Sequence, residues 1–425
     1  MILIKDGRVI DPKSGIDESL DIMIDKGKIT GIGKFQKTDG DCRVIDAKGL
    51  IVAPGLVDVH VHFRDPGLTY KEDLKTGAAA AAAGGYTTVI CMANTKPVVD
   101  SVEVFEDLKE RSKELPINVL SVAAVTAEMK GQELTDMDAL KQSGAVGFSD
   151  DGISIQDSAV LLEAMKKAKE LGVPISLHEE DPKLMGSFGV NQGAVSEAVG
   201  TAGAPAIAEE VLVARDGLLA LRTGARVNFQ HLSSAVSVDL IALLKKLGAD
   251  IYAEVTPQHF SLTEQAVLDK GTLAKVNPPL RTEADRYSLI KGIKEDVIDI
   301  IATDHAPHSK EEKDVTVIDK APSGMIGLET ALALGITNLV RKGHITMPHL
   351  LKKMTVNPAQ LYHMDCGYLE VGKDADIVIF DEREMWTVEN FHSKSSNSPF
   401  IGMELYGKVN YTICKGEVVY EKERG

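Results

Sequence analysis

Gly55-Leu56-Val57-Asp58-Val59-His60-Val61-His62 is a strand-like run that ends in two histidines one residue apart. Side chains two apart on a strand point to the same face, so both imidazoles can reach one cation. Arg64 follows at once, and its planar donor fork suits a substrate that carries a carboxylate. Taken alone, His-x-His reads as a half-exposed strand with alternating polar residues. Three more apolar runs end in the same way: Pro174-Ile175-Ser176-Leu177 in His178, Arg226-Val227-Asn228-Phe229-Gln230 in His231, and Ile298-Asp299-Ile300-Ile301-Ala302-Thr303 in Asp304. Each residue of metal-ligand type therefore terminates what reads as a buried strand.

Outward from these runs, residues 54 to 360 alternate short β-branched segments with helical ones, the pattern of parallel strands covered by helices. Eight strands are expected, at 55–62, 86–92, 117–124, 145–149, 174–178, 226–231, 250–255 and 298–304. Eight strand-helix units imply a closed TIM-like (β/α)8 barrel, with its active site at the C-terminal strand ends. An open doubly wound sheet would gather its chemistry at one switch point instead. Residues 1–52 and 365–425 hold short strands with glycine turns, too few in either piece to bury a face. We expect them to pack together as a small β-sandwich beside a barrel of residues 53–364, giving an α/β fold overall.

The chain has 425 residues, 44% of them hydrophobic, enough for one large domain and a smaller one. A formal net charge of -16 argues against nucleic acid as a partner and reads as simple solubility. No apolar segment approaches the roughly 20 residues that span a bilayer, so no membrane association is expected. Cys42, Cys91, Cys366 and Cys414 lack Cys-x-x-Cys spacing, and the first residues lack a cleavable apolar stretch. A cytoplasmic location fits best.

Two metal ions held together need a shared ligand, and a carboxylate has one oxygen for each. The fourth expected strand ends in Phe148-Ser149-Asp150-Asp151-Gly152. With Val146 and Phe148 facing the helices, Gly147, Ser149 and Asp151 face inward, which makes Asp151 rather than Asp150 the expected bridge. Without the histidines, Asp-Asp-Gly would read as a turn. Asp58 shares the inward face of His60, which suggests either a hydrogen bond that fixes an imidazole or a simple packing role. His305, next to Asp304, is turned by parity away from the metals. Ser309-Lys310-Glu311-Glu312-Lys313-Asp314 reads equally as a mobile flap or as a solvated loop.

The run Pro54 to Arg64, with His178, His231 and Ala302-Thr303-Asp304-His305-Ala306-Pro307-His308, resembles the amidohydrolase superfamily. Phe63-Arg64-Asp65-Pro66-Gly67 and Met92-Ala93-Asn94-Thr95 narrow the resemblance to the longer bacterial dihydroorotases, over essentially the whole chain. Many members of the superfamily bridge their metals with a carboxylated lysine at the end of strand four. No lysine stands there in this chain, and the nearest, Lys141, is on the preceding helical segment. That departure weighs against hydantoinases.

The resemblance implies reversible cyclisation of N-carbamoyl-L-aspartate to L-dihydroorotate in pyrimidine synthesis. It implies two Zn2+ ions per chain on His60, His62, Asp151, His178, His231 and Asp304, a bridging hydroxide, and Asp304 as the general acid and base. It places His62, Arg64, Asn94, Asn277, His308, Pro322 and Ser323 on the substrate. By pattern alone, Asn94 is a strand-end asparagine, His308 a loop histidine, and the other segments are turns. A homodimer and an association with aspartate transcarbamoylase are further implications. The competing readings are a hydantoinase-type or allantoinase-type enzyme, and a catalytically silent dihydroorotase-like subunit.

Overall fold

The computed structural model describes residues 1–35 and 42–423. Five strands open the chain, β1 (Ile2–Asp11), β2 (Ile16–Asp25), β3 (Lys28–Gly33), β4 (Arg43–Asp46) and β5 (Ile51–Pro54). Seven parallel strands follow: β6 (Leu56–Val61), β7 (Tyr86–Cys91), β8 (Asn118–Ser121), β9 (Ile175–Leu177), β10 (Val227–Phe229), β11 (Ile251–Val255) and β12 (Ile300–Ile301). Three more close the chain, β13 (Ile377–Thr387), β14 (Glu404–Cys414) and β15 (Glu417–Glu421).

The parallel strands form two arcs, β6-β7-β8 and β9-β10-β11-β12. Phe148 bridges Ala123 on one side and Ile175 on the other, while Val61 bridges His305, so the two arcs meet at both ends and the barrel closes. The fourth expected strand is thus present as ladder contacts rather than as an extended strand. Its backbone still bonds in sequence, Ala123 N–H to Gly147 O at 3.1 Å, Phe148 N–H to Pro174 O at 3.1 Å and Ser176 N–H to Phe148 O at 2.9 Å. Gly147 explains how the chain fits there. A Cβ on it would lie 2.9 Å from Pro174 O and 2.8 Å from the Tyr362 ring.

Helices at Leu74–Ala83, Val102–Ser112, Ser158–Leu171, Ile207–Thr223 and Ala235–Lys246 lie between the expected strands, as the alternating pattern predicts. Asp73, Ser101, Asp157 and Ser234 cap four of these, each accepting a backbone N–H of the first turn and satisfying a donor the helix leaves free. The alanine run Ala78 to Ala83 forms a helix whose small side chains let it lie close against the barrel, with Ala78, Ala80, Ala81 and Ala82 all buried.

Both ends of the chain join in one eight-stranded mixed sheet of order β15-β14-β13-β5-β1-β2-β3, with β4 on β1. The two ends meet where β13 pairs antiparallel with β5, Ile379 opposite Val52 and Val378 opposite Ala53. Strand alternation divides these residues between two cores. Val52, Ile377 and Ile379 pack with Ile4, Ile22 and Ile45 in a core of the sheet's own, whereas Ile51, Ala53, Val378 and Phe380 pack into the barrel core. Only Gly55 separates β5 from β6, so this pairing also anchors the strand that carries His60 and His62.

No helix among the described residues is long and apolar enough to cross a membrane. Gly147→Ala should lower stability by about 1–3 kcal/mol, because the obstructing carbonyl belongs to the backbone of the next strand and cannot swing aside. A denaturant midpoint unchanged from the parent would show that the closure at Phe148 tolerates a side chain.

Candidate metal centre and active site

The strand ends bring His60, His62, Asp151, His178, His231 and Asp304 to one buried place at the barrel mouth. The ligand atoms of His60, His62 and Asp151 lie within 4.8 Å of one another, as do those of Asp151, His178 and His231. Asp151 belongs to both sets. Its Oδ1 is 3.3 Å from His60 Nε2, 3.8 Å from His178 Nδ1 and 3.7 Å from His231 Nε2, and its Oδ2 is 3.4 Å from His62 Nε2. Asp304 Oδ1 stands 3.0 Å from His62 Nε2 and 3.5 Å from His60 Nε2. The backbone is left-handed at Arg64, His231 and Asp304, with φ of 58°, 34° and 47°. Such conformations cost energy in residues with a side chain, and three of them stand here at the mouth.

The neighbouring carboxylate does something else. Asp150 Oδ1 accepts the backbone N–H groups of Val125 at 2.7 Å and Thr126 at 3.1 Å, and its Oδ2 takes the Thr126 hydroxyl. Asp150 ties down the loop after β8, while Asp151 faces the imidazoles.

Groups behind the imidazoles set which ring nitrogen faces inward. His60 Nδ1–H donates to Glu254 Oε1 at 2.6 Å, His62 Nδ1–H to Asn94 Oδ1 at 2.9 Å, and His178 Nε2–H to Glu180 Oε2 at 2.9 Å. Each bond fixes a tautomer and leaves the opposite nitrogen facing the cluster, His60 Nε2 toward Asp151, His62 Nε2 toward Asp304 at 3.0 Å and His178 Nδ1 toward His231 Nε2 at 3.0 Å. Glu254 also accepts from Asn228 Nδ2 at 3.0 Å and from the His231 backbone N–H at 3.2 Å. One carboxylate on β11 therefore steadies ligands from β6 and from the end of β10. A hydrogen bond from Asp58 to an imidazole does not form. Asp58 Oδ1 instead accepts the His60 backbone N–H at 3.0 Å, and both of its oxygens face the Thr303 N–H, which joins the ends of β6 and β12.

Charge is balanced inside the cluster. Burial opposes ionisation of Asp151, yet the imidazoles of His60, His178 and His231 crowded around it hold its carboxyl well below the usual range. Burial likewise opposes a charged His178, and the carboxylates of Asp151 and Glu180 push it up to about 10. His60 Nε2 and Asp151 Oδ1 are nonetheless buried with no hydrogen-bond partner. Imidazole nitrogens and carboxylate oxygens aimed at a common point are the donor set of a divalent transition metal, which would meet both atoms.

Beside the cluster, Arg64 Nε–H donates to Pro307 O at 3.2 Å, and its guanidinium reaches within 3.5 Å of His308. His308 Nε2–H donates to Ser323 O at 2.9 Å. Asn94 Nδ2 contacts the Asp151 backbone oxygen at 3.2 Å and Oδ2 at 3.3 Å, so it orients two cluster residues at once. Asn277 Oδ1 is buried without a partner. Pro322 presents its carbonyl to Lys313 Nζ at 2.8 Å. His305 is turned outward, its Nε2 3.4 Å from Glu72 and its Nδ1 receiving the Gly327 N–H at 3.2 Å.

Sequence reading missed Glu180, Glu254 and Asn397. Glu254 had a signal, an ionisable residue inside the apolar run Ile251 to Val255. Glu180 had one too, two residues after His178. Asn397 had none, for it lies in a polar stretch far along the chain. Its Oδ1 accepts the His308 N–H at 3.0 Å, and its Nδ2 donates to Ala306 O and Gly324 O, each at 3.1 Å. The stretch Ser309 to Asp314 is not a plain solvated loop, since Lys310–Lys313 form a short helix capped by Ser309 and Lys313 is buried.

Residues 49–237 match the family model described as Dihydro-orotase-like, and residues 323–420 match the one described as Amidohydrolase family. A dihydroorotase of Clostridioides difficile strain 630 is 60% identical over 420 residues, covering 99% of this chain and 100% of that one. A dihydroorotase of Clostridium acetobutylicum is 55% identical over 423 residues, again covering 99% and 100%. Among solved structures, the L-hydantoinase (dihydropyrimidinase) of Arthrobacter aurescens is similar with a TM-score of 0.89 and 28% identity, over 100% of this chain and 96% of that one.

Glu254→Gln keeps the size of the side chain but replaces the charged acceptor behind His60. Metal affinity should fall by about 10- to 100-fold with the fold retained. Competition with a chelator measures this, and a parental affinity would show that Glu254 does not support the site.

Proposed function

The chain belongs to the dihydroorotase family of the amidohydrolase superfamily, and we propose that it catalyses the reversible cyclisation of N-carbamoyl-L-aspartate to L-dihydroorotate, the ring-closing step of pyrimidine synthesis. It is a cyclic amide hydrolase, with residues 53–364 as its catalytic unit. The observation that carries the chemistry is the carboxylate of Asp151, shared between two buried sets of imidazoles.

We assign two zinc ions to this centre, one to His60, His62 and Asp151 and the other to Asp151, His178 and His231, with Asp304 beside the first pair. Bound there, the ions would activate a water and polarise an amide carbonyl. In the ring-opening direction water adds to the amide carbonyl carbon, the C–N bond breaks, the carbon becomes the side-chain carboxylate and the nitrogen leaves as the NH2 of the carbamoyl group. Asp304 takes the proton released by the water and delivers it to that nitrogen; in ring closure it works in reverse. Its place supports this role, since its Oδ1 stands 3.0 Å from His62 Nε2 and 3.5 Å from His60 Nε2, at the edge of the cluster.

Arg64 receives the exocyclic carboxylate, helped by His308 and by the Asn94 amide, while Asn277 and the backbone of Pro322 and Ser323 hold the ring. An exocyclic carboxylate is what a guanidinium fork recognises, and this favours dihydroorotate over a hydantoin or an allantoin ring. A silent scaffold reading is disfavoured by six ligand-type residues at one point. The free thiols of Cys42, Cys91, Cys366 and Cys414 support a cytoplasmic setting. A homodimer and contact with aspartate transcarbamoylase belong to the same reading.

Purified protein should contain about two zinc ions per chain and turn over dihydroorotate in preference to hydantoin or allantoin. Turnover of a hydantoin with dihydroorotate untouched would overturn the substrate assignment. Asp304→Asn should lower kcat by about 10²- to 10⁴-fold, and an unchanged rate refutes its role in proton transfer. Arg64→Ala should raise KM with metal content retained; an unaltered KM counts against it.

A further inference from the structure

Lys275 and Lys313 are almost completely buried, at 3% and 4% exposure. Lys313 Nζ donates to the carbonyls of Thr272, Lys275 and Pro322 at 3.0, 3.4 and 2.8 Å. Lys275 Nζ donates to those of Ile318, Asp319 and Ala321 at 3.0, 3.3 and 2.8 Å. The arrangement is reciprocal: a lysine of the 272–275 segment grips the loop that follows Asp304, and a lysine of that loop grips the segment. An ammonium has three donors, and each of these finds three backbone carbonyls.

An apolar side chain would fill either place without the several kcal/mol that burying an ammonium costs. Burial pulls Lys313 down to about 7, with Lys275 adding repulsion. What the ammonium pair adds, beside the buried Ile318 and Ala321 of the same loop, is a set of polar contacts that water can replace. When it parts, water satisfies the released donors and carbonyls; when it shuts, all six carbonyls are paired.

The gripped residues adjoin the substrate groups on each side. Pro322 and Ala321 lead directly into Ser323, whose carbonyl holds His308 at 2.9 Å. Lys275 lies two residues before Asn277, and its own carbonyl accepts the Gly324 N–H at 2.9 Å. Thr272 Oγ1 adds a bond to Lys313 O at 2.6 Å.

We propose that Lys275 and Lys313 form a reciprocal latch that holds residues 309–323 shut beside the active site and so positions His308, Ser323 and Asn277 for substrate. They are positioning residues and touch no reacting atom. The substrate part of the proposal rests on the dihydroorotase reading; the closure itself does not.

The test uses metal-loaded Lys275→Met, Lys313→Met and the double variant, with the exposed Lys320→Met as control, and has two readouts. Limited proteolysis without substrate should cut residues 309–321 faster in both single variants than in the parent or the control. KM for dihydroorotate should rise about tenfold or more in each single variant while kcat stays within about threefold and zinc content is unchanged, the pattern of lost binding rather than lost chemistry. Because each lysine needs the other, the double variant should be no worse than the single ones. Parental cleavage and KM in both single variants, or effects that multiply in the double, would overturn the latch. Thr272→Val, which removes only one hydroxyl, gives the same comparison should a lysine variant fail to fold, and cleavage equal to the parent would count against the proposal. Faster cleavage in a protein that never turns over dihydroorotate would sink the substrate assignment and leave the latch standing.

Discussion

One buried carboxylate has to stay ionised among imidazoles drawn from three different strands, and the barrel mouth is organised around that requirement. An Asp in an apolar interior would ordinarily take up a proton. Here His60, His178 and His231 crowd Asp151 closely enough to reverse the effect, and its carboxyl is held well below its ordinary range. The concentration of charge is tolerable only because each participant is pinned. Glu254, Glu180 and Asn94 take the outward nitrogens of His60, His178 and His62, so the inward nitrogens have no freedom to turn away. Divalent metal would replace the protons that now balance the cluster, which couples its binding to proton release.

The same economy of placement extends to the backbone. Asp58 and Asp150 are carboxylates that could have been ligands, and both accept main-chain N–H groups instead. Asp58 joins the end of β6 to Thr303, next to Asp304, and so fixes how far apart His60 and Asp304 stand. Asp150 fastens the turn that aims Asp151. Positive φ values at His231 and Asp304 break the extended conformation where each strand ends.

Parts of the chain far from the barrel complete the mouth. The pairing of β5 with β13 joins the terminal segments and fastens the start of β6. The connection from β13 to β14 then sends Asn397 to the loops that carry His308 and Ser323, where one amide side chain makes three backbone bonds. Glu72 accepts from the Ser393 hydroxyl and the Lys394 N–H of the same connection, and its Oε2 lies 3.4 Å from His305 Nε2. The loops beside the metal-ligand cluster are thus tied together by the barrel, the returning C-terminal connection and the lysine-bound loop.

Periodicity and end positions were enough to recognise the barrel, because a strand buried on both faces must be apolar and a polar residue at its end must serve the mouth. By that logic His60, His62, His178, His231 and Asp304 were legible, and Asp151 was separated from Asp150 by side-chain alternation. The residues that sequence could not reveal are those whose role depends on a partner distant along the chain. Glu254 is one acidic residue in a strand until His60 lies 2.6 Å away, and Asn397 is one polar residue among serines until folding brings Ala306 and Gly324 beside it. Local sequence determines which backbone form a segment takes and which face it buries. Only the tertiary structure decides which buried donors and acceptors meet, because hydrogen bonding requires a partner within about 3 Å and the right direction, and neither is encoded by spacing along the chain.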